Sequence, residues 1–495
     1  MSEAYRALEK RFARMSHIGG ALSILQWDHQ VMMPPGGNPV RAEQMATLRQ
    51  LAHELLTSAE TGELLDQAEQ ENGRLAPWQA ANLREMRRGH RRATAMPTDL
   101  VAALVRATAA AEMIWREARP RSDFAMLRPA LEEVMRLTRE EAAAKAEALG
   151  RPPYDALLDG YEPGIGTAEI DALFEPLAAF LPDFIERVLA HQVEPRPLQG
   201  HFPAAGQKAL GERLMLALGF DFNKGRLDES LHPFCGGVPD DVRMTARYDE
   251  SDAATGLMAV LHETGHALYN AGLPADWRHQ PVGKPRSFAV HESQSLLVEM
   301  QICRSRPFLA YLAPLMRERF GVDGEAFAVD NLYRQAIRVE RGLIRVDADE
   351  VTYPLHVVLR YRLEKALLAG ELEVADLPAA WNQGMRELLG VVPPDDRRGM
   401  LQDIHWPAGA IGYFPCYTLG ALLAAQLYEA MIAAEPDLPA QIAEGDFRPL
   451  LAWLRANVHE QGARYETQEL IARATGRALE LQPFLRHLET RYLAH

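Results

Sequence analysis

Apolar positions recur every three or four residues through most of this chain, and that period predicts helices. Residues 1–30 carry it at Tyr5, Leu8, Phe12, Met15 and Ile18, up to the break Met33-Pro34-Pro35-Gly36-Gly37. It resumes over 39–71 and 77–92 with Arg and Glu on the polar faces, then over 98–118 and 124–149, where Ser122 or Asp123 is the expected N-cap of the second helix. No heptad is sustained, so these are packed helices rather than a coiled coil. Residues 191–206 have linker composition and divide one domain into a helical lobe, roughly 1–195, and a second lobe, roughly 196–495. Beyond it the pattern changes: 226–237 reads as irregular, and 241–248 alternates as a short strand does. A strand edge there could hold an extended peptide through main-chain hydrogen bonds.

The next helix carries chemistry. Leu257, Val260, Leu261, Thr264 and Leu268 form its apolar stripe, and within it stands His262-Glu263-Thr264-Gly265-His266. Histidines four apart on a helix lie one turn apart on one face and can grip one metal ion. The glutamate after the first histidine is the usual general base for a metal-activated water. Gly265 costs ~1 kcal/mol relative to Ala inside a helix. A catalytic zinc takes three protein ligands, so a third must come from elsewhere. Glu292 and Glu299, on the helix predicted to begin near His291, are both in range by spacing, and Glu299 reads alternatively as an acceptor behind a ligand or as an ordinary helix charge; His291 points about 100° away from Glu292.

Composition narrows the partners. Hydrophobic residues are 47% and charged residues 24% of 495, which is ordinary globular composition. A net charge of −15 argues against nucleic acid or an anionic membrane as a partner. The glycines of Asp159–Gly166 lack the strand and Lys-Ser/Thr ending of a phosphate loop. Cys235, Cys303 and Cys416 suggest no disulfide framework. There is no unbroken run of 18 apolar residues, and the first ten residues read as a charged helix rather than an apolar leader. The expectation is a cytoplasmic protein.

Six stretches in order resemble the carboxypeptidase Taq family of metallocarboxypeptidases: His232-Pro233-Phe234, Asp241–Thr245, His262–His266, His291-Glu292-Ser293-Gln294, Ile344–Glu350 and Gly399–Trp406. Gln26-Trp27-Asp28 and Met33-Pro34 are similar to the family as well, so the resemblance spans the chain. It implies a mainly α, zincin-type fold like that of neurolysin and angiotensin-converting enzyme, with a deep groove between two lobes and a small sheet beside the metal-site helix. It implies His262, His266 and Glu292 as metal ligands, with Zn2+, Co2+ or another divalent ion, and Glu263 as base. It further implies a homodimer that removes single C-terminal residues from peptides with broad specificity, proline being disfavoured. A related oligopeptidase or dipeptidyl carboxypeptidase is the alternative.

That chemistry asks for two more groups. The tetrahedral oxyanion needs a donor besides the metal: His405 is one candidate, and Tyr413 and Tyr417, four apart at an expected helix start, are the others. A free substrate carboxylate calls for arginine, whose planar fork matches it. Arg345 is the first choice and Arg243 the second; their structural alternatives are ion pairs with Asp349 and Asp241. Asp349, Glu350, Asp403 and His232 are candidates to orient a metal-ligating histidine.

Overall fold

The computed structural model describes residues 2–70, 73, 75–230 and 233–493. It is mainly helical, with one three-stranded sheet. The first helix, Glu3–Val31, starts where the Ser2 side chain accepts from the Tyr5 amide. The expected run over 39–71 is two helices, Asn38–Thr57 and Ala59–Gln70. Ser58 breaks it: its backbone is extended and its Oγ accepts from the Thr61 amide at 3.3 Å, which starts a new helix. Helices Thr98–Arg121 and Phe124–Leu149 follow, and Asp123 is the cap of the second. Ser122, at φ 54°, instead ends the first, which runs past Pro120.

The stretch 226–237 is not irregular. It holds β1 (Gly225–Glu229) and β2 (Phe234–Val238), and β3 (Asp241–Ala246) lies between them, parallel to β1 and antiparallel to β2. Neither outer strand announces itself, because β1 contains no β-branched residue and β2 has two glycines among five residues. Gly237 is required at φ 88°, where a Cβ would stand 2.0 Å from the Asp241 carbonyl oxygen. The first helix covers the end of β2, with Ser23 Oγ accepting from the Gly237 amide and donating to its carbonyl.

Two large apolar cores and a small N-terminal one hold the described chain together. The first takes side chains from both sides of the 191–206 segment, among them Phe174, Leu355, Trp381 and Phe484. The second is built around Val260, Leu261, Phe308 and Phe447. Helix Pro415–Ala434 joins them, with Leu419 and Leu422 in the first and Leu423 and Leu427 in the second. A helix that is apolar all round belongs inside a core. It is also long and apolar enough to cross a bilayer by length and composition, yet 61% of that window is buried in the fold.

The motif helix is Ala253–Gly272, capped by Asp252, with the predicted stripe buried. The second helix of the site, Phe288–Leu296, is capped by Ser287 and continues as a π-helix over Leu297–Cys303. It lies between the motif helix and helix Pro415–Ala434, and a glycine faces it on each side. A Cβ on Gly265 would come within 2.4 Å of the Gln294 carbonyl oxygen, and one on Gly420 within 2.8 Å of Glu292 Cβ.

These contacts reverse the sign expected for one substitution. By helix propensity Gly265→Ala would stabilise by ~1 kcal/mol; the backbone facing it predicts a net loss of about 1–3 kcal/mol, as overpacked cores show. Equilibrium denaturation decides, and a stabilised alanine variant would refute the close approach.

Candidate active site

His262, Glu263 and His266 come from the motif helix, and their two imidazole centroids lie 5.0 Å apart. Glu292 reaches them from the facing helix, with its Oε2 3.5 Å from His266 Nε2. Ligand atoms of His262, His266 and Glu292 all lie within 4.8 Å of one another. Two donors bonded to one tetrahedral ion at 2.0–2.1 Å would sit ~3.3 Å apart, so this donor set fits a zinc-like ion with little adjustment.

The histidine rings are held in different ways. His262 Nδ1 is 2.9 Å from Glu299 Oε2, which leaves Nε2 for the centre of the site. His266 stacks on His291 with centroids 4.4 Å apart and 24° between planes, and its Nδ1 is buried without a hydrogen-bond partner among the described residues. His291 in turn meets Asn270 Oδ1 through Nε2 at 3.1 Å. Asp349, Glu350 and Asp403 do not orient a ligand histidine: Asp349 caps the Val351 and Thr352 amides, Glu350 pairs with His487 and Arg491, and Asp403 binds two arginines. His232 lies outside the described residues.

Electrostatics favour a cation here. Burial works against a charged His262, but the Glu299 hydrogen bond and the charges of Glu292, Glu299 and Glu263 outweigh it and carry its pKa up to about 10. Burial raises Glu263 above the ordinary carboxylate range. Glu292 is lowered despite burial, through its hydrogen bond with His266 and the charge of His262. Three carboxylates thus converge on two imidazoles, which suits a divalent ion.

A cavity of about 990 Å³ opens on this centre, and His262, Glu263, Glu292, Arg345, Tyr353 and Tyr417 are among its lining residues. Arg345 sits in a short 3-10 turn and is 4% exposed. Its partner is Asp403 rather than Asp349: Nε and Nη2 donate to Asp403 Oδ1 at 3.2 and 2.8 Å. Its Nη1 donates to the Tyr353 hydroxyl at 2.8 Å. Arg360 binds the same carboxylate through Asp403 Oδ2 at 2.6 Å. Burial opposes ionisation of Asp403, yet Arg360 and Arg345 hold it well below the usual carboxylate range. Two guanidiniums thus share one carboxylate, with Arg345 at the cavity wall and Arg360 fully buried.

Arg243 is elsewhere. It makes a two-pronged ion pair with Asp241 and lies 4.3 Å from the Trp27 ring, fastening the sheet to the first helix. Tyr417 stands in the first turn of helix Pro415–Ala434, whereas Tyr413 precedes that helix and packs edge-on against Tyr161 and Phe288. The two rings still meet, with centroids 5.3 Å apart. His405 Nε2 is 3.4 Å from the Tyr417 hydroxyl. Tyr353 and Arg360 were not among the sequence candidates; nothing in Tyr353-Pro354-Leu355-His356 marks a tyrosine as cavity-facing before the chain is folded.

Known proteins resemble this chain over nearly its whole length. A family profile described as carboxypeptidase Taq (M32) metallopeptidase matches residues 7–492. Thermostable carboxypeptidase 1 of Thermus thermophilus is 40% identical over 503 residues, covering 99% of this chain and 98% of that protein. The solved structure of Trypanosoma cruzi metallocarboxypeptidase 1 gives a TM-score of 0.97 at 40% identity, over 99% of each chain. That of an M32 carboxypeptidase from Deinococcus radiodurans R1 gives 0.94 at 37% identity, again over 99% of each.

The surroundings of His405 set a pH expectation. Burial lowers its pKa, Asp403 opposes this, and Arg345 and Arg360 reinforce it, to about 4. A depressed histidine is neutral in the folded protein and takes up its proton more readily when unfolded, so protonation disfavours the fold as pH drops below ~6.5. An NMR titration should therefore show the His405 ring neutral down to about pH 5. A midpoint near 6.5 would contradict this environment.

Proposed function

This chain belongs to the carboxypeptidase Taq (M32) metallopeptidases and is a metallocarboxypeptidase, and from that premise we propose that it removes single residues from peptide C-termini with broad specificity, using zinc. The observation that carries this reading is the buried Arg345, which shares the Asp403 carboxylate with Arg360 and lines the same cavity as Glu263 and the metal-ligating set.

His262, His266 and Glu292 would hold the ion, which supplies Lewis acidity: a polarised carbonyl and a water whose pKa falls toward roughly 7. Glu263 takes a proton from the attacking water and later delivers it to the leaving amine nitrogen. Its raised pKa suits both steps, because a carboxyl that holds a proton more readily is the better shuttle near neutral pH. As the water oxygen bonds to the scissile carbon the carbonyl π bond opens and negative charge grows on the carbonyl oxygen; that charge returns to the C=O bond as the C–N bond breaks and the amine leaves with the proton. Tyr417 is the donor best supported for that oxygen, since it lines the cavity and burial keeps its hydroxyl protonated. His405 stands behind it at 3.4 Å and Tyr413 against its ring. The substrate's terminal carboxylate meets Arg345, whose guanidinium is fixed by Asp403 and Tyr353 and so loses little freedom on binding. A free carboxylate held at Arg345, in the same cavity as the base, would limit cleavage to the end of the chain.

Two measurements test the reading. Glu263→Gln should retain its metal while kcat falls by about 10²–10⁴-fold, the usual worth of a positioned acid–base group; a fully active variant would rule out the assigned base. A peptide with a free C-terminus should be trimmed residue by residue and its amide left nearly intact. Equal cleavage of both would overturn carboxylate recognition and favour an oligopeptidase.

A further inference from the structure

Glu299 is tied into the site by the same helix that supplies Glu292, seven residues further on. Regular α-helix ends at Leu296, and a π-helix of Leu297–Cys303 replaces it. The switch from i→i−4 to i→i−5 bonding turns every later side chain relative to a continued α-helix, and such segments concentrate at functional sites. Here Glu292 and Glu299 meet successive histidines of the motif helix: Glu292 lies 3.5 Å from His266, and Glu299 lies 2.9 Å from His262 Nδ1. Two helices running in opposite directions thus present two carboxylates to two imidazoles.

The second carboxylate is itself anchored. Arg304, immediately after the π-helix, donates from Nη2 to Glu299 Oε1 at 2.6 Å and from Nη1 to the Ala336 carbonyl at 3.1 Å. Gln301, in the same π-helix, donates to Glu350 Oε1 at 3.3 Å, and Glu350 is held by His487 at 2.9 Å and Arg491 at 3.0 Å. The π-helix is therefore bonded on one side to a metal-ligating histidine and on the other, through Glu350, to the C-terminal helix Gln482–Leu493.

We propose that Glu299, fixed by Arg304 and the π-helix, is a positioning residue that orients the His262 ring for metal binding. A ring whose Nδ1 proton is committed to an acceptor has its tautomer and rotation set, so Nε2 is presented to the ion without reorganisation. His266 has no counterpart among the described residues, and the site's preorganisation is correspondingly asymmetric. This inference rests on the reading of His262, His266 and Glu292 as ligands.

The test is the zinc dissociation constant of full-length protein stripped of metal, measured against a chromophoric chelator, together with the circular dichroism and melting of the apo-protein. Glu299→Leu combined with Arg304→Met removes both charges together, and zinc binding should weaken by about 10–100-fold, the usual cost of losing an outer partner. Glu299→Gln keeps an acceptor for Nδ1 and should stay within about threefold of wild type by the same reasoning. Glu299→Asp keeps the charge beside Arg304 but withdraws the oxygen from His262, so it should weaken zinc and decides the matter if the double variant does not fold. A purely structural role would lower apo-protein melting and leave the zinc constant unchanged in all three, which overturns the proposal. A glutamine variant as weak as the leucine one overturns the hydrogen-bond role. Wild-type protein that binds no zinc removes the ligand assignment itself.

Discussion

The site depends on how closely three helices pack. The helix carrying Glu292 lies between the motif helix and helix Pro415–Ala434, with Gly265 against one side of its backbone and Gly420 against the other. Each glycine removes the atom that would hold the helices apart. That separation sets the distance between Glu292 and the histidines, because a carboxylate reaches only as far as its two methylenes allow. Interiors pack as densely as organic crystals, so the spacing cannot drift without cost. The same packing joins the two large apolar cores, since Pro415–Ala434 contributes side chains to both. The candidate metal-ligating set therefore stands where the cores are bound to each other.

Charge is arranged around this centre in two opposed groups. Glu263, Glu292 and Glu299 line the cavity and make it attractive to a cation near His262, while Arg345, paired with Asp403, brings positive charge to the same lining. Buried ions of either kind cost several kcal/mol unless paired and hydrogen-bonded. Asp403 offsets most of that cost for two guanidiniums, with Gln402 Oε1 accepting from Arg360 and from the Arg345 amide. The acidic group, for its part, is one that a divalent ion can neutralise.

The long helices, the stripe of the motif helix, and the pairing of His262 with His266 were legible in the linear sequence. Each is local: helical periodicity needs only neighbours three and four residues away, and so does the i, i+4 ligand pair. Spacing brought Glu292 and Glu299 into range together and could not choose between them, because the π-helix that separates their roles does not follow from local spacing. β1 and β2 carry no strand signature of their own, because their pairing partner, β3, supplies what their residues lack.

The partners of charged side chains were decided by tertiary structure alone. Arg345 meets Asp403, 58 residues away, and not the nearby Asp349; Arg243 meets Asp241 and Trp27. Tyr353 enters the wall, Tyr413 falls short of the helix expected to carry it, and Glu299 becomes the acceptor for His262. Sequence by itself determined which groups could do metal-assisted hydrolysis, since that is a matter of residue type and one helical turn. Which of them face one another follows from long-range packing: a side chain's partner is chosen by the distance between elements, and here two glycines set that distance.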